Sequence, residues 1–343
     1  MDAKITKKRL GHMLSYDWIK IIAICAAVVF VWVMLFATLA TRATMGQTFE
    51  IYVYTGITVH TDRIGNLNML HSNGALSYDV LDYNFTTLSE PSTQLSAYMP
   101  NNQGDVMFIT DTVITETTTD EETGTEETTI TDYGDLHTFL NNYLSYISWA
   151  GEVGEVDIYG KNVAAESYFG NCAAYLSEFY KDKDGDGTGD IDPASSPEQD
   201  TEKIESAFRS RIRKDKRYKR ESDIKEGLER EYDRIEKLRV AYNNVEGYFA
   251  DGTLGIREKE LILETDSDED GNNDTVKVQY AIDLSGIRNI EDFMINNKTE
   301  DENGAGTGKD LCMLILNEKS QEAALRYEAV TFLDYIVKTY NAE

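Results

Sequence analysis

Residues 94–111 read QLSAYMPNNQGDVMFITD, and the fold class turns on how this stretch is read. The run 106–109 is apolar without interruption, so it offers hydrophobic side chains to both faces of a sheet. That pattern belongs to a strand covered by helices on both sides, as in a parallel sheet. Gly104 separates it from residues 92–100, which read as a helical turn. Working back toward the N-terminus, YDVLDYNFTTL (78–88) has the β-branched and aromatic content of a strand. Residues 62–75 hold a short, imperfect helical pattern, and TFEIYVYTGI (48–57) alternates Ile51 and Val53 against Tyr52 and Tyr54. Strand, helix, strand, helix, strand in that order predicts an open α/β lobe.

Working forward, TVITETTTDEETGTEETTIT (112–131) reads as a long exposed hairpin, two Thr-rich strands around a polar tip at 120–127. A mucin-like glycosylated stalk would bring proline, which this stretch lacks. Residues 135–150 predict a helix with Leu136, Phe139, Leu140, Tyr143 and Ile147 on one side. The longest helical signal lies at 201–245, where Ile224, Leu228, Ile235, Leu238, Tyr242 and Val245 recur at spacings of three, four or seven. Glu226–Arg230 and Asp233–Lys237 are i,i+4 pairs in the favourable order. Its upstream part, 209–220, carries eight basic residues in twelve positions. This run is either a solvated face neutralised by acidic neighbours or a contact for an anionic partner such as a cell-wall polymer or lipid headgroups. Strands are expected at 276–284 and 311–316, and an amphipathic helix at 322–340 through Ala323, Tyr327, Val330, Leu333, Ile336 and Val337.

The chain has 343 residues, with 33 Lys+Arg against 61 Asp+Glu and a formal net charge of −28. Phosphate contacts need a basic surface, so no nucleic-acid partner is expected. Apolar residues at 41% and 24 glycines fit an ordinary globular protein and exclude collagen-like or disordered classes. Three cysteines are too few for a disulfide scaffold; whether Cys172 and Cys312 pair is open at this level.

Residues 21–40, IIAICAAVVFVWVMLFATLA, are twenty uncharged, mostly apolar positions, enough at 1.5 Å per residue for a hydrocarbon core of about 30 Å. With Trp18 at the edge, the membrane helix is expected over 18–41. Lys4, Lys7, Lys8, Arg9 and Lys20 precede or open the run and only Arg42 closely follows it, so residues 1–17 read as a cytoplasmic tail and 48–343 as extracellular. A cleaved signal peptide is the alternative, although its apolar region would exceed the usual ~7–15 residues. Cys25 follows Ile24 inside the apolar run, where a lipobox needs a small residue, so lipidation is not expected. Beyond residue 42 the net charge is −32.

The sharpest local signal occurs twice. DKDGDGTGD (182–190) and DSDEDGNND (266–274) both fit D-x-D-x-D-G-x-x-D. Ca²⁺ takes six to eight oxygen ligands, and carboxylates at positions 1, 3 and 5 converge only around a sharp turn. The glycine at position 6 (Gly187, Gly271) accepts the positive φ such a turn requires. The first ligand set is Asp182, Asp184, Asp186, the Thr188 carbonyl and Asp190; the second is Asp266, Asp268, Asp270, the Asn272 carbonyl and Asp274. Both loops lack the glutamate that completes an EF-hand at position 12, where Pro193 and Lys277 stand. They resemble the shorter calcium loops of dockerin and thrombospondin type 3 repeats. That likeness implies a further ligand from elsewhere, with Asp192 and Glu264 as candidates. The competing reading is an acidic turn without an ion. Histidine spacing gives no zinc motif, and no G-x-S-x-G, P-loop or dinucleotide fingerprint occurs. No enzymatic activity is expected, although a carboxylate pair of glycosidase type needs only a three-dimensional separation.

Three stretches make the part beyond the membrane resemble the extracellular solute-binding proteins of ABC importers: TFEIYVYTG, QLSAYMPNNQGDVMFITD, and LILNEKSQEAALRYEAVTFLDYIVKTY at the end. The resemblance implies a periplasmic-binding-protein-like ectodomain of two α/β lobes joined by a hinge, with a ligand in the cleft between them. Ligands of open α/β sheets sit beyond the carboxyl ends of the strands, which singles out Tyr54, Thr55 and Asp111. Trp149 either stacks on a sugar ring or belongs to the core. The expected function is capture of a small solute, with a saccharide as the class the tyrosines fit, for an ABC permease in the same membrane. The alternative is a calcium-stabilised surface module that binds a wall polymer or a protein partner. Solute-binding proteins of single-membrane bacteria hang on a lipidated cysteine and a flexible tether. Here a membrane helix and a linker of about seven residues replace these, and the hairpin and calcium loops are additions.

Overall fold

The computed structural model describes residues 7–39, 43, 45–119, 126–148, 150–151, 156–158, 161–163, 167–262, 271, 275–316 and 325–342. Two units separate, residues 1–44 and 45–343. The first holds helix α1 (Lys7–Leu39), whose stretch Trp18–Leu35 is apolar and long enough to cross a membrane or serve as a signal sequence. The second is mixed α/β. Its elements run β1 (Thr48–Val53), β2 (Ile57–Val59), α2 (Leu67–Ser72), β3 (Asp82–Thr87), α3 (Pro91–Tyr98) and β4 (Val106–Thr110). Then come β5 (Ile114–Thr119), β6 (Glu126–Asp132), α4 (Asp135–Tyr143), β7 (Val156–Ile158), β8 (Lys161–Val163) and α5 (Tyr168–Ser177). The chain closes with α6 (Thr201–Arg211), α7 (Glu221–Asp251), β9 (Gly255–Ile262), β10 (Thr275–Asp283), β11 (Met294–Glu300), β12 (Gly306–Thr307), β13 (Leu311–Ile315) and α8 (Glu328–Tyr340).

Six strands form the central sheet in the order β3-β1-β4-β13-β10-β9. The first three are parallel, while β13, β10 and β9 join by antiparallel pairing, so the sheet is mixed rather than parallel throughout. The reading of 106–109 survives this change, because all five residues of β4 are buried. Side chains alternate across the sheet as its pleat requires. Phe49, Ile51, Val53, Val106, Phe108 and Met313 face a large core filled by α2, α5, α7 and α8. Tyr52, Tyr54, Met107, Ile109, Cys312 and Leu314 face a smaller core under α3 and α4. Cys172 lies in the first core and Cys312 in the second; both are free thiols.

Two helices depart from their sequence patterns for local reasons. The signal over 201–245 divides, because Ile212–Lys214 tighten into a 3₁₀ turn and the Asp215 carboxylate accepts the Arg217 N–H at 2.9 Å. A new helix starts at Glu221, where the Asp223 carboxylate accepts the Arg220 N–H at 3.2 Å. The helix expected over 135–150 stops at Tyr143, since Ile147 bridges to Leu316 and Ser148 N–H donates to the Ile315 carbonyl at 2.9 Å. Helix α8 is buried almost all round rather than on one stripe, lying between the sheet and α7. Its polar Asp334 is satisfied there by Asn244 Nδ2 and Tyr248 OH, each at 3.2 Å.

The described residues of 45–343 form one compact unit around this sheet, with β12-β11-β2 as a small second sheet. The Thr-rich strands β5 and β6 pair antiparallel in register from Ile114↔Asp132 to Thr119↔Glu126.

Candidate functional site

The order β3-β1-β4 means that the chain leaves β1 in one direction for β3 and returns past it to β4. Such a reversal point, at the carboxyl ends of β1 and β4, is where open α/β sheets hold ligands. Beyond β1, Tyr54 is buried and donates its N–H to the Phe108 carbonyl at 2.8 Å, while Thr55 is exposed. Burial, and then the Asp135 charge, pushes the Tyr54 hydroxyl up to about 12, so it stays protonated.

Beyond β4, Asp111 is buried and meets two cations that the sequence did not single out. Lys259 Nζ lies 2.5 Å from its Oδ1, and Arg257 Nη1 lies 3.8 Å from Oδ2. Arg257 is shared further, with Asp283 at 2.8 Å and Asp310 at 3.1 Å. Burial holds the Asp111 carboxyl above the usual carboxylate range despite the pull of Lys259. A second cluster adjoins it: Thr110 Oγ1 donates to Asp135 at 2.9 Å, and Lys298 Nζ reaches the same oxygen at 2.8 Å. Asn296 Nδ2 donates to Thr112 Oγ1 at 2.9 Å. His137 stacks on Tyr133 with ring centroids 5.0 Å apart, and burial followed by the Lys259 charge lowers its pKa.

The structure therefore brings Tyr54, Thr55 and Asp111 to one edge, but it closes Asp111 with internal ion pairs. Trp149 lies outside the described residues. Arg257 and Lys259 stand two apart on β9 and so share a face of the strand. That spacing is the only signal the sequence offered for them.

The loop after α5 is the candidate metal centre. Oxygen atoms of Asp182, Asp184 and Asp186 lie within 4.8 Å of one another, all exposed. Backbone amides hold them inward: Gly185 N–H and Gly187 N–H donate to the two Asp182 oxygens at 2.6 and 3.0 Å. Thr188 donates both N–H and Oγ1–H to Asp186 Oδ1, at 2.7 and 2.6 Å. Asp190 accepts the Lys183 N–H at 3.0 Å, which closes the loop, and Asp192 caps the next turn through the Ala194 N–H at 2.8 Å. At its base the loop is tied by Lys181 N–H to the Glu198 carbonyl, 2.9 Å. Gly187 has φ +96°, and Gly271, at the same position of the second loop, has φ +87°. Asp266, Asp268, Asp270, Asn272 and Asp274 lie outside the described residues; their loop joins the antiparallel pair β9 and β10. Three converging carboxylates on a turn fixed by amides are a hard, oxygen-only donor set, which fits Ca²⁺ and does not fit a thiophilic metal.

No protein-family model, no curated protein and no solved structure matches the chain.

Proposed function

We propose that this chain is a membrane-anchored surface module: α1 holds it in the bilayer with its N-terminus inside, and one α/β lobe outside meets a macromolecular partner. The observation that carries this is the closure of the carboxyl edge. Asp111, Asp283 and Asp310 are tied there to Arg257 and Lys259 by internal ion pairs within a single compact unit. A small solute taken up by a two-lobed protein is enclosed on both sides, whereas a single lobe offers a surface. Calcium held by Asp182, Asp184 and Asp186, with the Thr188 carbonyl and Asp190, would screen the carboxylates from one another and rigidify the loop between α5 and α6. The same role is assigned to the second loop at the end of β9.

Capture of a small solute for an ABC permease is the second reading. The reversal point at Tyr54, Thr55 and Asp111 favours it, because that is the ligand position of the architecture. Thermal unfolding of the purified chain in calcium, against sugars, amino acids and peptides, separates the two. Ligand at 100 times its Kd adds about 2.7 kcal/mol to the folded state. A flat panel from a chain that co-purifies with a membrane or surface partner supports the module. A clear shift with one solute class overturns it in favour of capture.

A further inference from the structure

Seven of the eight basic residues at 209–220 fall into two sets. Arg209, Arg211 and Arg217 face carboxylates of the lobe itself. Arg209 pairs with Glu205 at 2.8 Å, and Arg211 with Glu231 at 2.7 Å and Asp79 at 3.0 Å. Arg217 pairs with Asp215 at 2.7 Å and Asp79 at 3.1 Å. These contacts, with the Tyr218 ring edge-on to Phe208 at 5.4 Å, fasten the turn between α6 and α7 to the body. Arg213, Lys216, Lys219 and Arg220 project from the same turn, exposed, and form no ion pair among the described residues. In a chain with 61 carboxylates against 33 cations, four unpaired cations on one fastened turn are a built feature.

A long stretch without any cation lies elsewhere. No Lys or Arg occurs between Arg63 and Lys161, the stretch that contains the acidic strands β5 and β6. Near an anionic surface, so uneven a distribution attracts the turn and repels the acidic segments. Screening over about 8 Å at physiological ionic strength makes the charges nearest the surface decide the contact; those of the turn are its four exposed cations with Glu221 and Asp223 beside them.

We propose that Arg213, Lys216, Lys219 and Arg220 dock this lobe on the anionic phosphate headgroups of the bilayer that holds α1. The inference rests on α1 being a retained membrane anchor. Chain length selects the bilayer over a wall polymer. Eight residues, 40–47, connect α1 to β1. Fully extended they span less than about 30 Å. The tether keeps the lobe at high effective concentration beside one anionic surface, the membrane.

The test uses the full chain in nanodiscs of phosphatidylcholine alone or mixed with phosphatidylglycerol. A fluorophore is placed on Ser222→Cys, at the exposed start of α7, in a Cys25→Ser background, with a headgroup-linked quencher in the lipid. Quenching several-fold stronger in the mixed discs is expected. It should fall to the phosphatidylcholine level in Arg213→Glu/Lys219→Glu/Arg220→Glu and at high salt, while a probe on Thr117→Cys stays unquenched in both lipids. Equal quenching in the two lipids, or no change on charge reversal, overturns the docking and leaves the anchor standing. Binding of the same turn to isolated wall polymer without any lipid dependence also overturns it. A chain that fails to enter the discs overturns the anchor and the docking together.

Discussion

At Glu328 the fold buries a carboxyl that accepts the Ser77 N–H at 2.7 Å. It borders a cavity of about 20 Å³ shared with His71, Arg234 and Thr331, room for one water. Burial raises its pKa from 4.5 to about 7, against the opposing pull of the Ser77 amide and Arg234. Between those two values the folded chain holds a proton that the unfolded chain has released. Stability from this group is therefore complete below about pH 4.5 and is lost as pH rises to about 7, then stays level. At 1.36 kcal/mol per unit the loss is about 3 kcal/mol. Glu328→Gln keeps an acceptor for Ser77 and removes the charge, so urea unfolding should find it more stable than the parent at pH 8 and little changed at pH 4.5. An equal midpoint at pH 8 would show that Glu328 is neutralised by other means. Asp111 makes the opposite case, a buried carboxylate with cations at hand. Lys259→Met leaves it facing only Arg257 at 3.8 Å, and breaking such a pair costs about 3 kcal/mol. Adding Asp111→Asn should recover part of that loss; if the double variant melts below the single one, the pair is not the reason for the cost. The sequence pointed to Asp111 because it ends an apolar run, and missed Lys259 because only the pairing of β9 with β10, and of β10 with β13, brings that side chain toward the end of β4.

The turn between α6 and α7 depends on Gly227, one helical turn and more into α7. A Cβ there would stand 2.3 Å from the Tyr218 ring and 2.6 Å from Phe208. Alanine gains about 1 kcal/mol of helix propensity, but overpacking a tight contact costs about 1–3 kcal/mol. Gly227→Ala should accordingly be neutral to mildly destabilising in calorimetry. It should loosen the basic turn, seen as faster amide exchange over 212–220; unchanged exchange would mean the rings yield freely. The metal loop is the other element with a sharp expectation. Calcium in excess should raise the melting temperature of the chain and a chelator should lower it. Asp182→Asn/Asp186→Asn should remove the larger share of the difference, and an identical calcium response in that variant would move the ion to the second loop or off the chain. Local spacing carried both D-x-D-x-D-G loops, since their chemistry is contiguous. Strands β9, β11 and β12 were not legible, because β9 alternates charges, as in Arg257-Glu258-Lys259-Glu260, where a strand pattern looks for apolar residues. Helix α5 escaped for a different reason: only ten residues long, it carries few repeats of its apolar face. Periodicity also ran α6 and α7 together, because the turn that separates them is made by side chains, Asp215 and Tyr218, and not by glycine or proline.

For the molecule as a whole, the α/β class was legible in β1, β3 and β4, which are contiguous and paired in the simplest parallel order. The mixed half was not, because β13 comes from far along the chain to pair antiparallel with β4, and nothing in its sequence announces that partner. What the whole molecule does then hinges on α1, since a retained anchor and a cleaved leader give different proteins from one sequence. Five cations at or before Lys20, against Arg42 alone just beyond the span, orient a retained helix with its N-terminus inside. Cys172 and Cys312 are buried, and Cys25 sits within the apolar stretch, so introduced thiols can report position. Thr117→Cys, exposed on β5, should react with a membrane-impermeant maleimide on intact cells. Gly11→Cys, near the start of α1, should react only after the membrane is opened. Both labels should stay on one polypeptide of full length. Loss of the Gly11 label together with a chain shortened by about forty residues would instead identify α1 as a cleaved signal, and the lobe would then be free of the bilayer. Labels in the reverse order would put the acidic lobe inside the cell. The first result removes the tether that makes the membrane the nearest anionic surface and the second moves that surface to the inner leaflet, so this topology measurement precedes any test of what the lobe binds.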